Sequence, residues 1–180
     1  MSTVQEIKPN ILCLEYRQES GDEDYGSCLW ARFIFNLDRY ELSITSDCGN
    51  YGYKWCETPE AESFLELMAR IGSDYLLRKI YGSADVFNYE ETKKQAYEWY
   101  AEDEEDKAKL DEIFEEIEWK GYPDSASEFL RAFDDENDGY FIDTWELPEY
   151  EYPPNALKIV SVFEEYIQPY IEQKLAEIEK

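Results

Sequence analysis

The chain has 180 residues, with 43 acidic against 17 basic side chains and no histidine, giving a formal charge of −26 at pH 7. Charge of this size repels nucleic acid and anionic membrane and attracts cations and basic protein surfaces. Without an imidazole there is no Ser-His-Asp or Cys-His pair, no histidine general base and no histidine metal ligand, and the eight glycines form neither common phosphate-binding loop.

The N-terminal decapeptide MSTVQEIKPN lacks the basic-then-apolar pattern of a signal peptide, and no run reaches the eighteen apolar residues of a membrane span. A cytoplasmic location is the expectation. Alternation then predicts strands. Ile11–Tyr16 is the first, followed by a polar loop at 18–27. Over Cys28–Leu37, Leu29, Ala31, Phe33, Phe35 and Leu37 share one face. Tyr40, Leu42 and Ile44 repeat the pattern after a short link, which predicts an antiparallel hairpin, and Tyr51–Trp55 reads as a short fourth strand.

Helical spacing takes over beyond residue 58. Thr58-Pro59-Glu60 carries the signals of a helix start, with Phe64, Leu65, Met68 and Ile71 facing inward against the sheet. Gly72-Ser73-Asp74 ends that helix and opens another through Ile80. Asn88 with Glu91, and Ser125 with Glu128, predict N-terminal capping boxes. Leu110, Ile113, Phe114 and Ile117 form an i, i+3, i+4, i+7 stripe. The segment 145–154, with three prolines, is expected to wrap the surface without regular structure. A last helix is expected over about 155–178, with Val160, Phe163, Ile167, Tyr170, Ile171 and Leu175 inward and a bend or break at Pro169. Strands followed by segregated helices make an α+β fold: a small antiparallel sheet of three or four strands packed against a larger acidic helical part, in one domain over 1–180 (β-rich 1–58, helical 59–180).

Charge is unevenly spread. Residues 98–152 hold twenty-one acids and four bases, a net −17, against −5 for residues 1–58. Disordered acidic tails are poor in aromatics, whereas this block contains Trp99, Tyr100, Phe114, Trp119, Tyr122, Phe129, Phe133, Tyr140, Phe141 and Trp145. It therefore reads as folded. Glu112 and Glu116, and Asp111 and Glu115, stand at i, i+4 and repel by a few tenths of a kcal/mol per pair. Seventeen net charges match roughly 29 Å of duplex DNA at about one charge per 1.7 Å. The expected partner-binding residues are Glu104, Glu105, Asp111, Glu112, Glu115, Glu116 and Glu118 on the acidic helix, with Asp134, Asp135, Glu136, Asp138 and Asp143 in the turn that follows. Tyr122, Tyr140, Tyr150 and Tyr152 are candidate anchors.

Other chemistry finds thinner support. Asp134-Asp-Glu-Asn-Asp-Gly139 resembles the opening of a calcium loop, with Asp134, Glu136 and Asp138 at ligand positions, but Trp145 stands where a bidentate glutamate belongs. Glu15 and Glu41 interrupt apolar strands; outward strand positions account for both. The four cysteines (Cys13, Cys28, Cys48, Cys56) include no CxxC pair and read as buried free thiols. No metal and no cofactor is expected, and no enzymatic activity.

The stretches CLWARFIFNLDRYELSITSDCGNYGYKW at 28–55 and ESFLELMARIGSDYLLRKI at 62–80 resemble a pattern in small proteins of phages and mobile elements of Gram-positive bacteria. This resemblance covers about the first eighty residues and brings no activity with it; the acidic second half lies outside it. By analogy of charge and context, the chain is similar to DNA-mimic inhibitors of host defence such as anti-CRISPR and anti-restriction proteins. Together these features lead us to expect a non-enzymatic inhibitor in the host cytoplasm, without membrane or direct nucleic-acid binding. Its partner would be a basic nucleic-acid-binding protein. The alternatives are an acidic module that neutralises a basic toxin or chaperones a basic phage protein and, last, a carboxylate or calcium-dependent enzyme.

Overall fold

The computed structural model describes residues 4, 6–22, 24–56 and 63–178. The α+β fold is as expected, and the chain divides into two compact units, residues 1–83 with 154–180, and residues 84–153. Among the described residues no helix is long and apolar enough to cross a membrane.

The first unit carries an antiparallel meander in the order β1 (Ile11–Arg17), β2 (Trp30–Asn36), β3 (Glu41–Ser46) and β4 (Gly49–Lys54). Phe33 pairs with Leu14 on one side and Ile44 on the other, which keeps Ala31, Phe33, Phe35, Leu42 and Ile44 on one fully buried face. Leu29, expected on that face, lies before the ladder and is exposed. Glu15 points outward and is bonded by Arg17 at 2.7 Å and, across the strand pair, by Arg32 at 2.8 Å. Those two guanidinium groups hold its carboxyl below the usual range.

Helices α1 (Phe64–Arg70), α2 (Ser73–Ile80), α6 (Pro154–Val162) and α7 (Gln168–Ile178) complete this unit. The Thr58 start signal lies outside the described residues; α1 is capped at Ser63 by a reciprocal box with Glu66. Phe64 meets Phe35 and Trp55, and Phe163 meets Phe33. The predicted break before Pro169 takes the form of a π-helical turn over Phe163–Ile167, where Gln168 N–H bonds back to the Phe163 carbonyl. One extra residue per turn keeps both Phe163 and Ile167 in the core while removing the regular acceptor position that proline cannot use. Gln168 then turns its amide onto the carbonyls of Met68, Ala69 and Ile71, which α1 leaves unpaired at its C-terminal end. Tyr170, expected inward, is half exposed, because the extra residue rotates the stripe that follows.

The second unit is built from α3 (Tyr89–Tyr100), α4 (Glu104–Lys120) and α5 (Ala126–Asn137). Asn88, Asp103 and Ser125 cap them through side-chain bonds to backbone N–H groups. The expected reciprocal half of two boxes is displaced, since Glu91 pairs with Lys94 and Glu128 accepts from Asp124 N–H. Leu110, Ile113, Phe114 and Ile117 meet Phe129, Phe133, Phe141, Leu147 and Tyr89 in an aromatic-rich core. The 145–154 segment departs from expectation. After a 3-10 turn at Thr144–Glu146, β6 (Glu149–Glu151) pairs antiparallel with β5 (Val86–Asn88). Thr92 supports it by accepting from Glu149 N–H at 2.9 Å.

Candidate acidic interaction surface

The second unit, residues 84–153, holds 24 acidic and 6 basic side chains, so 70 residues carry −18 of the chain's −26. On α4 the apolar stripe faces the core, and helical geometry sends Glu104, Glu105, Asp111, Glu112, Glu115 and Glu116 to solvent, where all six are exposed. Between Asp111 and Glu116 four carboxylates rise along about 7.5 Å of axis. Their three intervals average roughly 2.5 Å, looser than the charge spacing of duplex DNA at about 1.7 Å.

These carboxylates differ in their commitments. Glu118 is half-buried, held by Lys93 Nζ at 2.6 Å and by the Tyr89 hydroxyl at 3.2 Å. Lys93 also sits 5.2 Å from the Phe114 ring centre, so this pair stitches α3 to α4. Asp111 accepts from the Tyr97 hydroxyl at 2.7 Å and stays exposed. Burial, and then the adjacent carboxylates, raise the phenol pKa of Tyr89 and Tyr97. Glu112 meets Lys109 at 3.4 Å. Glu104, Glu105, Glu115 and Glu116 have no side-chain partner among the described residues.

The turn residues divide in the same way. Glu136 pairs with Lys120, whose pKa that contact raises, and Asp134 accepts from the Thr144 hydroxyl at 2.9 Å. Both belong to the last turns of α5 rather than to a loop, so Asp134, Glu136 and Asp138 do not converge as calcium ligands. Asp135, Asp138 and Asp143 are exposed. Asp138 and Asp143 adopt left-handed backbone angles, φ 48° and 59°, at the two bends of the connection. Buried Asn137 clasps this loop, accepting from Phe141 N–H and donating to its carbonyl, each at 2.8 Å. The Tyr100 hydroxyl donates to the Ile142 carbonyl, and that of Tyr140 to Asp106 at 3.0 Å.

Large apolar side chains stand exposed among the acids. Tyr122, Tyr140 and Tyr150 are about half exposed or more, whereas Tyr152 is partly buried. Trp119 is 87 % exposed, and Ile142 and Trp145 are 73 % and 66 % exposed. Trp119 follows Glu115 and Glu116 by four and three residues, which places its indole beside both carboxylates. Nine residues past Leu110, it points directly away from the buried stripe at 100° per residue, a signal present in the spacing. Ile142 and Trp145 had no such signal, since only the clasped loop turns them outward.

In the first unit the structure joins residues that spacing kept apart: Cys28, Asp47 and Cys48 bring their ligand atoms within 4.8 Å of one another. Cys28 and Cys48 are buried free thiols, as expected, but Cys13 and Cys56 are exposed. An open cleft between β1 and the π-helical turn, about 540 Å³, is lined by residues including Glu15, Arg17, Tyr16, Tyr166 and Tyr170.

A family described as a phage family matches residues 5–173. The chain belongs to this phage family. The match runs through the acidic unit, so residues 84–153 are part of the family pattern rather than an addition beyond it. No curated protein and no solved structure matches the chain significantly.

Proposed function

We propose that this phage-family protein is a non-enzymatic inhibitor acting in the host cytoplasm. Its acidic unit occupies the nucleic-acid groove of a basic defence protein, such as a CRISPR effector or a restriction enzyme. The observation that carries the reading is the outer face of α4, where six exposed carboxylates face solvent. Those between Asp111 and Glu116 follow one another at about 2.5 Å of axis, the same order as the roughly 1.7 Å charge spacing of duplex DNA. Lys93 and Lys120 already neutralise the acids that join helices, Glu118 and Glu136, and Lys109 pairs with Glu112 within α4. Glu104, Glu105, Glu115 and Glu116, with Asp135, Asp138 and Asp143, are left for a partner. Trp119, Ile142 and Trp145 supply what carboxylates alone lack, large apolar contacts that slow dissociation.

The test is a competition. A basic partner retained at low salt on the immobilised protein is challenged with duplex DNA and, separately, with single-stranded RNA. Mimicry predicts release by at least one of them. A basic partner that remains bound while carrying nucleic acid favours the second reading, an acidic module that neutralises a basic toxin or chaperones a basic phage protein.

A further inference from the structure

We propose that Cys28, Cys48 and Asp47 form a site for a thiophilic divalent cation of the zinc class. The two cysteines are twenty residues apart in the sequence. The β2–β3 ladder ends at the Ala31–Ser46 pair, and the chain just beyond it carries Cys28 on one side and the Asp47-Cys48 turn on the other. The Cys28 sulfur lies 3.7 Å from Asp47 Oδ1. In a tetrahedral zinc site, with bonds of about 2.3 Å to sulfur and 2.1 Å to oxygen, neighbouring S and O donors stand about 3.6 Å apart. That edge is already at coordination spacing. All three donor atoms lie within 4.8 Å, so the remaining edges need to contract by no more than about 1.2 Å.

Supporting contacts orient the donors. Leu29 N–H bonds Asp47 Oδ2 at 2.9 Å and Trp30 N–H bonds Oδ1 at 3.2 Å, which fixes the carboxylate while leaving lone pairs free. Cys48 N–H donates to Ser46 Oγ at 3.2 Å, and the Tyr51 hydroxyl donates to the Cys48 carbonyl at 2.8 Å. Gly49 completes the turn at φ 125°, where a side chain would also strike the Tyr51 ring. Cys28 is fully buried and Cys48 5 % exposed, while Asp47 faces solvent. The cation therefore reaches the site from the carboxylate side, and water takes the fourth position.

In the free protein the Cys48 thiol donates to the Ser27 carbonyl at 3.1 Å, and the Cys28 thiol lies 3.7 Å from both the Trp30 carbonyl and Asp47 Oδ1. Binding forms two sulfur–metal bonds and one oxygen–metal bond, and the two thiol protons pass to solvent. The chain's negative field concentrates every cation, magnesium and calcium included. Sulfur supplies the selectivity.

The site is independent of the partner proposed above, and so is its test. Reduced protein with the exposed thiols removed (Cys13→Ser, Cys56→Ser) is titrated with Co²⁺, then with Zn²⁺. The expected result is a sulfur-to-cobalt charge-transfer band saturating at one equivalent, displaced by Zn²⁺ and indifferent to a hundredfold excess of Mg²⁺, with a higher Tm in Zn²⁺. Cys48→Ser should abolish the band, and Asp47→Asn, which keeps an acceptor for one of the two backbone N–H groups, should weaken Co²⁺ binding at least tenfold. No band at one equivalent in the folded protein would overturn the site. So would a band of equal strength in Cys48→Ser protein whose circular dichroism is unchanged.

Discussion

Trp119 keeps an indole in water at 87 % exposure, where burial would stabilise it by roughly 3 kcal/mol on area grounds. Nothing in the fold of the second unit uses that ring, so its removal separates folding from binding. Trp119→Ala is expected to change stability by less than about 0.5 kcal/mol and to weaken the partner complex by about 2 kcal/mol, some thirtyfold. Thermal melts and calorimetric titration read the two quantities. Asn137 is its converse. Its side chain is buried and serves only to hold the Phe141 backbone, so Asn137→Ala should cost about 1–3 kcal/mol of stability by leaving two buried backbone groups unpaired. Tyr89 and Tyr97 add a pH dependence. Their folded-state pKa values lie above the ordinary value of 10.0, through burial first and then Glu118 and Asp111. A raised folded pKa means the unfolded chain loses these protons first, so the stability they contribute is complete below pH 10 and falls above it. Melts across pH 8–12 should show Tm dropping from near pH 10, and Tyr97→Phe should reduce that slope.

At the scale of elements, α4 binds its own unit with one face and repels itself with the other. Glu115→Gln with Glu116→Gln removes the i, i+4 repulsions with Asp111 and Glu112, and should raise stability by a few tenths of a kcal/mol per pair. The same change should weaken partner binding. Opposite signs in Tm and affinity distinguish a surface kept for binding from one merely solvated; equal signs would place these acids in the fold. The α4 stripe and the meander were legible because a long run of 3.6- or 2-residue periodicity leaves little freedom in which face is buried. The β5–β6 pair was not. Three residues give no period, and Val86–Asn88 finds its partner only some sixty residues later. Pro169 announced a break, yet the π-helical turn depends on Phe163 and Ile167 both filling one core, which local pattern does not contain. Of the site, Trp119 and the α4 acids could be placed by helical arithmetic. The internal commitment of Glu118 and Glu136 could not, because Lys93 and Lys120 reach them across helix pairs. The Cys28–Asp47–Cys48 cluster was hidden for the same reason, since the β2–β3 register makes it.

For the whole molecule, the charge that first appeared as a total of −26 resolves into −18 on a 70-residue unit with its own aromatic core. A folded unit of that charge should associate with a basic surface at rates and affinities that salt controls. Raising ionic strength from about 50 to 200 mM should weaken the complex at least tenfold, mostly through slower association. Trp119→Ala should lower affinity by the same factor at both salts. In the proposed function this surface and a nucleic acid compete for one groove. The most direct measurement of that competition is the apparent Kd for the basic partner as duplex DNA is raised at fixed low salt. Competition makes the apparent Kd rise in proportion to DNA once DNA saturates the partner. An apparent Kd that stays constant, with protein, partner and DNA in one ternary complex, would contradict it.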